Sequence, residues 1–270
     1  MIAPAYVSAC HDELRALKPG NVHDFAPGHR MTVADFEASA KASAPFIAQK
    51  GASVGARIFG AMEATWAAAG ANTNLGILLL CAPLAVSAES GRSLDDVLAS
   101  LTVEDARLAY RAIAIASPAG LGSAEQHDVR RVPDVTLLQA MTTARDRDRI
   151  ANAYATGFAD IRRIGLKALA SAPRHLPWLP ATAVYLAFLT ACPDSHIARK
   201  HGGDVAREVQ LEAKARAGVL DWSSPVPQLL EFDASLKARN LNPGTSADLT
   251  VATLFANRLS STLRFSSDNG

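Results

Sequence analysis

Apolar residues recur at three- and four-residue spacing through long Ala-rich stretches of this chain, whereas alternating β-branched runs are nearly absent. That pattern predicts an all-α protein. Ala is the best helix former, and its small side chain lets helix axes approach closely, so roughly ten or more tightly packed helices are expected. A first helix is predicted over 2–17, stopped by Pro19-Gly20. A loop from Lys18 to Met31 follows. Thr32, with Asp35 three residues on, forms a variant capping box opening a helix that turns Phe36, Ala40 and Ala44 inward. Further helices are expected at about 53–69, 75–89, 103–116, 134–142, 147–171, 178–191, 203–217, 225–238 and 246–263, with Gly70, Gly120, Gly122, Gly202, Gly203 and Gly244 marking turns.

Composition agrees with a packed core: of 270 residues, 49% are hydrophobic and 20% charged, which excludes intrinsic disorder. No Pro/Gly/Ser-rich stretch separates two hydrophobic halves, so a single compact multi-helix domain is expected over 1–265, with 266–270 frayed. Lys+Arg 27 against Asp+Glu 26 gives net +1, without a basic cluster interleaved with aromatics, so nucleic acid is not an expected partner. Cys10, Cys81 and Cys192 form no CxxC pair and read as structural thiols of a reducing compartment. The opening residues lack a basic segment followed by an apolar one, and the window Ile77 to Val86 is about half the length that spans a bilayer. A cytoplasmic protein without a membrane partner is expected, with a homodimer as one assembly.

Candidate chemistry falls in five polar clusters at helix ends and glycine turns: Glu13 with Lys18-Pro19-Gly20-Asn21-Val22 and His29; Asn72-Thr73-Asn74-Leu75-Gly76; Glu125-Gln126-His127-Asp128-Val129-Arg130; Asp194-Ser195-His196 with Lys200-His201-Gly202-Gly203; and Asn242 to Asp248. None is a standard phosphate loop or dinucleotide fingerprint. Asn72, Thr73 and Asn74 either cap the apolar helix after them or, at its N-terminus, receive a phosphate or ribose oxygen. Lys18 is either a solvated lysine at a helix stop or a point charge on a rigid corner suited to a polyphosphate. His29 and His201 are either surface or core histidines, or contacts to phosphate or proton carriers. Glu125 and Asp128, three apart, share a face if the stretch turns helically and could then hold Mg²⁺ together. Asp248 is either a first-turn acid on a helix dipole or a site carboxylate. The run Arg145 to Arg149 reads as a solvated helix face.

Together these segments, E…KPGNV…H…F..S, NTNLGI.LL.APL, EQ.DV, DSH…HGGD and NPGTSADL, resemble in order the triphosphoribosyl-dephospho-CoA synthase family, from about Glu13 to Leu254. The resemblance implies an all-helical enzyme that displaces adenine from ATP with a hydroxyl of dephospho-CoA, with Mg²⁺ on the phosphates. That chemistry needs a carboxylate beside the developing ribosyl cation, an acid for the departing purine, and cations for the triphosphate. On this reading Glu13, Asp128 and Asp248 are catalytic; Lys18, Asn21, His29, Asn72, Thr73, Asn74 and His201 bind nucleotide or phosphate; and Glu125 and Asp128 hold the metal. One motif departs from the family. Family members carry N-T-H-K-G where this chain has Asn72-Thr73-Asn74-Leu75-Gly76, so two cationic contacts are replaced. The NTNLG form resembles a branch found in archaea and in bacteria that carry one-carbon units on methanopterin, itself an α-ribosyl compound. The expected activity is accordingly transfer of a 5-phosphorylated ribosyl group from ATP or another phosphoribosyl donor to an acceptor hydroxyl, with a methanopterin precursor as the rival to dephospho-CoA. The alternative is a non-catalytic nucleotide- or pterin-binding protein on the same fold.

Overall fold

A computed structural model describes residues 1–26, 32–117 and 127–265. His29, Glu125, Gln126 and the tail 266–270 lie outside the described residues. Within them the chain forms fourteen α-helices and no sheet. The first six are α1 (Ile2–Arg15), α2 (Val33–Ile47), α3 (Val54–Ala69), α4 (Leu75–Ser90), α5 (Leu94–Ala99) and α6 (Val103–Ala116). After α7 (Leu137–Ala144) and α8 (Arg149–Ala155) comes a π-helix, Ile161–Leu166, running into α9 (Lys167–Ser171). The last five are α10 (Leu179–Ala191), α11 (Ser195–His201), α12 (Gly203–Gly218), α13 (Val226–Ala238) and α14 (Gly244–Arg258).

Local chemistry explains most boundaries. Thr32 and Asp35 cap α2 reciprocally, and Thr102 with Asp105 does the same for α6. The Asp105 carboxylate also accepts the Gly55 N–H of α3 at 2.8 Å, which joins the two helices. The expected helix at 134–142 begins instead at Leu137, because Thr136 is its cap. The single helix expected over 147–171 is corrected to three pieces. Gly157 and Phe158 both take positive φ, 60° each, which breaks the helix after α8. Beyond the break, Gly165 sits so close to α14 and α10 that a Cβ would lie 2.2 Å from Thr253 Oγ1 and 2.9 Å from Phe188. The short helices α5 and α11 carry too few periodic positions to be recognised in the sequence.

Two buried clusters hold the fold. The larger gathers α1 to α6 with Tyr154, Phe158 and the inner faces of α10 and α14. Its centre is α4, apolar on every side and buried from Ile77 to Ala85. The smaller packs α11 to α13 against the other face of α10, through Tyr185, Leu189, Val209 and Phe232. Helices α10 and α14 contribute to both clusters. The site lies along that seam.

Candidate active site

A cavity of about 1120 Å³ opens at the seam and is lined from all five polar clusters. Glu13 and Asn21, Asn72 to Gly76, Asp128, Ser195 and His196 with Lys200 and Gly203, and Asn242 with Asp248 share its walls. His201 is exposed at the end of α11 and does not belong to the lining.

The KPGN segment is held by five hydrogen bonds in which all four of its residues take part. Lys18 Nζ donates to Glu13 Oε1 and, at 3.1 Å, to Asn21 Oδ1. The Pro19 carbonyl accepts from Tyr185 Oη at 2.6 Å. Gly20 donates its N–H to Asp233 Oδ1 at 2.8 Å. Asn21 Nδ2 donates to Asn242 Oδ1 at 2.7 Å, tying this segment to the start of α14. Gly20 has φ 81°, and a Cβ there would lie 2.8 Å from the Leu241 carbonyl, so both the conformation and the space require glycine.

Lys18 is fully buried and is absent from the cavity lining. The expectation of a phosphate-binding charge on an open corner is therefore corrected: its ammonium faces Glu13 from behind. Burial lowers the Lys18 pKa, with Glu13 opposing the shift. Burial likewise raises that of Glu13, with Lys18 opposing. Each partner opposes the loss of the other's charge.

Asp194 joins two motifs through one carboxylate. Its Oδ1 accepts the N–H groups of His196 and Ile197 at 2.9 and 3.2 Å, capping α11, while Oδ2 accepts Ser246 N–H and Oγ, both at 2.8 Å. This clip sets the first turn of α14, and with it Asp248. The half-buried Asp248 carboxyl is held well above the usual carboxylate range by loss of water and by the nearby charges of Asp194 and Glu13, with Arg199 opposing. It lies against the first turn of α4, where a Cβ on Gly76 would be 2.0 Å from Asp248 Oδ2. The glycine of the NTNLG motif thus makes room for an acid from another motif.

Of the two readings raised by the sequence for the rest of that motif, the capping one is visible in its hydrogen bonds. Asn72 Oδ1 accepts the Leu75 N–H at 3.2 Å, a capping role. Thr73 Oγ1 donates to Ser39 Oγ at 2.7 Å, tying the turn to α2. Asn74 makes no side-chain cap, and its buried Oδ1 has no hydrogen-bond partner among the described residues.

Asp128 lies on the wall formed by the end of α6 and the segment after it. Both carboxylate oxygens accept from the Arg130 guanidinium, at 2.9 and 2.6 Å, and Oδ1 also accepts the Arg130 N–H. Among the described residues no three His, Cys, Asp or Glu side chains come together as a metal site. A Mg²⁺ that arrives on donor phosphates and keeps its waters needs only one or two protein carboxylates. Asp128 fits that lesser demand, because Arg130 is 63% exposed and can turn away at little cost.

Other contributions were not legible in the sequence. Trp66, Tyr110, Ile113, Leu137 and Met141 form an apolar wall, with Trp66 40% exposed at the cavity. Arg147 and Arg149, expected on a solvated helix face, line the cavity as well, in the turn before α8 and its first residue. No local pattern marks such residues, since only the tertiary fold brings them to the site.

Residues 1–267 match the family described as CitG, ATP:dephospho-CoA triphosphoribosyl transferase. The chain belongs to this family. It is accordingly a transferase enzyme acting in phosphoribosyl transfer, a function of cofactor biosynthesis. Among solved structures it is similar to one from Archaeoglobus fulgidus provisionally described as a triphosphoribosyl-dephospho-CoA synthase, with TM-score 0.64 and 20% identity, over 83% of this chain and 99% of that one. At that identity the likeness speaks for the fold alone. None of the curated proteins matches the sequence. No helix among the described residues is long and apolar enough to cross a membrane.

Proposed function

We propose that this CitG-family transferase moves a 5-phosphorylated ribosyl group from ATP to the hydroxyl of a flat, ring-bearing acceptor of the methanopterin-precursor type. The observation that carries the reading is the pairing of two acids on one cavity, Glu13 with a buried counter-cation and Asp248 without one. Environments that differ in this way divide acid from anion. Asp248, whose carboxyl holds its proton more tightly than an ordinary one, gives that proton to adenine as the C1–N bond breaks. Glu13, whose ionised form Lys18 favours, stabilises the cationic ring and takes the proton of the acceptor hydroxyl as the new C1–O bond forms. Both acids reset by exchange with solvent.

Asn72 and Asn74, on the helix start beside Asp248, would contact ribose or phosphate oxygens. Asp128, with Glu125, would hold Mg²⁺, whose contribution when bound is to neutralise donor phosphates. The three thiols are free, two of them buried, in keeping with a reducing cytoplasm.

The apolar wall around Trp66 supports the acceptor assignment. A pterin or arene ring gains from stacking there, whereas a pantetheine arm does not. Leu75, also on the lining, replaces the family lysine and removes a charge from this end. The deciding measurement is adenine release from ATP and Mg²⁺ with dephospho-CoA against a pterin–ribitol acceptor. Turnover with the pterin–ribitol compound, and weak or no turnover with dephospho-CoA, is expected. Efficient turnover with dephospho-CoA overturns the acceptor assignment.

A further inference from the structure

The cavity is electrically two-ended. Its buried end carries Glu13 and Asp248, whereas its outer rim carries Arg147, Arg149, Arg199, Lys200 and Arg207, drawn from the turn before α8, α8 itself, α11 and α12. Lys18, once the obvious phosphate ligand, is committed to Glu13 and is absent from the lining. A polyphosphate bound in this cavity therefore has to meet other cations.

Two of the rim cations, Arg147 and Lys200, make no ion pair among the described residues. Arg207 reaches only the exposed Asp204, at 3.6 Å. Arg149 is anchored by Asp160, and its buried Nε has no hydrogen-bond partner among the described residues. Arg199 reaches Asp148 Oδ2 at 3.5 Å. The rim also carries Asp146 and Asp148. One oxygen of Asp148 is spent capping α8, and Asp146 lies 3.7 Å from Arg145. Counted with Arg145 and with the partner carboxylates Asp160 and Asp204, six cations face four carboxylates and leave the rim positive by two. Gly203, also on the lining, adds no side chain, and a Cβ there would meet nothing within 4 Å, so the rim is open at that point.

We propose that this rim is the polyphosphate subsite, holding the phosphate chain of the donor while its ribose reaches inward to Glu13 and Asp248. The inference rests on the transferase reading above, but its test is separable from it. A triphosphate of about −4 that brings one Mg²⁺ leaves about −2, which the surplus of rim cations balances. Anchored and mobile cations are combined: Arg149 is fixed by Asp160, while Arg147, Lys200 and Arg207 are exposed and free to close on the chain.

The test is calorimetric titration of the full-length protein with inorganic tripolyphosphate, without acceptor. The triple variant Arg147→Gln/Lys200→Gln/Arg207→Gln alters exposed side chains only, so its fold is expected to survive, as circular dichroism would verify. Affinity is expected to fall at least about tenfold, with a shallower salt dependence. ATP should compete with tripolyphosphate, and a pterin–ribitol acceptor should not. Affinity within about twofold of the parent, or no tripolyphosphate binding by the parent protein, overturns the proposal. Displacement by dephospho-CoA or the pterin–ribitol compound but not by ATP would give the rim to an acceptor's phosphates and overturn the donor assignment. Tripolyphosphate binding that depends on the rim, with no adenine release for any acceptor, would support the subsite and remove the transfer reading instead.

Discussion

At the scale of single residues the site is built from charges kept where water is scarce. Asp248 illustrates the cost. Its folded-state pKa lies well above the ordinary value of 3.8, through burial and the neighbouring Asp194 and Glu13 charges. Between those two values the unfolded chain binds fewer protons than the folded one, so the contribution of Asp248 to stability falls as pH rises through the window. Asp248→Asn removes the penalty. The variant should melt on the order of 2–4 °C higher at pH 7.5, the response to ~1 kcal/mol in a chain of this size, with the gap closing towards pH 4. Its adenine release should fall at least ~100-fold, the contribution of a lost general acid. An unchanged rate, or a lower melting temperature at pH 7.5, would count against this role. Lys18 is the opposite case. Lys18→Met strands the Glu13 carboxylate in a dry site and should cost about 3–5 kcal/mol in urea unfolding, most of it restored in Glu13→Gln/Lys18→Met. A loss below ~1 kcal/mol would mean that the pair is not buried as described. The type of residue 18 was legible in the sequence. Its direction was not, because nothing local tells a lysine at a helix stop that Glu13 will be folded beneath it.

At the scale of elements, helices with a side-chain cap were the readable ones. Thr32 and Thr102 announce α2 and α6 by a local exchange of hydrogen bonds that any tertiary setting preserves. The stretch after α8 was misread because its apolar period continues through a break that Gly157, Phe158 and the crossing at Gly165 impose. That break is a tertiary demand. The same logic gives Gly76 a use its sequence conceals, since the family motif shows a glycine but not the carboxylate occupying its missing side chain. Gly76→Ala should leave the helical circular dichroism intact, because Ala favours a helix over Gly by about 1 kcal/mol. It should displace Asp248 and lower adenine release at least about tenfold. Parent-like turnover in Gly76→Ala would show that the close approach is not needed for transfer.

At the scale of the molecule, the site belongs to neither buried cluster alone. Glu13 and α4 come from the larger and α11 and α12 from the smaller, while α10 and α14 run through both. Occupying the seam should therefore stabilise the fold as one unit. Donor at 100 times its Kd adds about 2.7 kcal/mol, so ATP with Mg²⁺ should raise a single melting transition by roughly 5–10 °C. The two ends of the cavity should also separate in mutants. Trp66 lies on the apolar wall and brings no charge to the donor phosphates, so Trp66→Ala should leave the ATP-induced shift in melting temperature unaltered. Its acceptor KM should rise about tenfold, the loss expected when an aromatic face is removed from beneath a ring. The melting shift reports the donor end without turnover, and the KM reports the acceptor end only through it. A Trp66→Ala protein that loses the ATP shift while keeping its acceptor KM would reverse the two ends and place the nucleobase, rather than the acceptor ring, on the apolar wall.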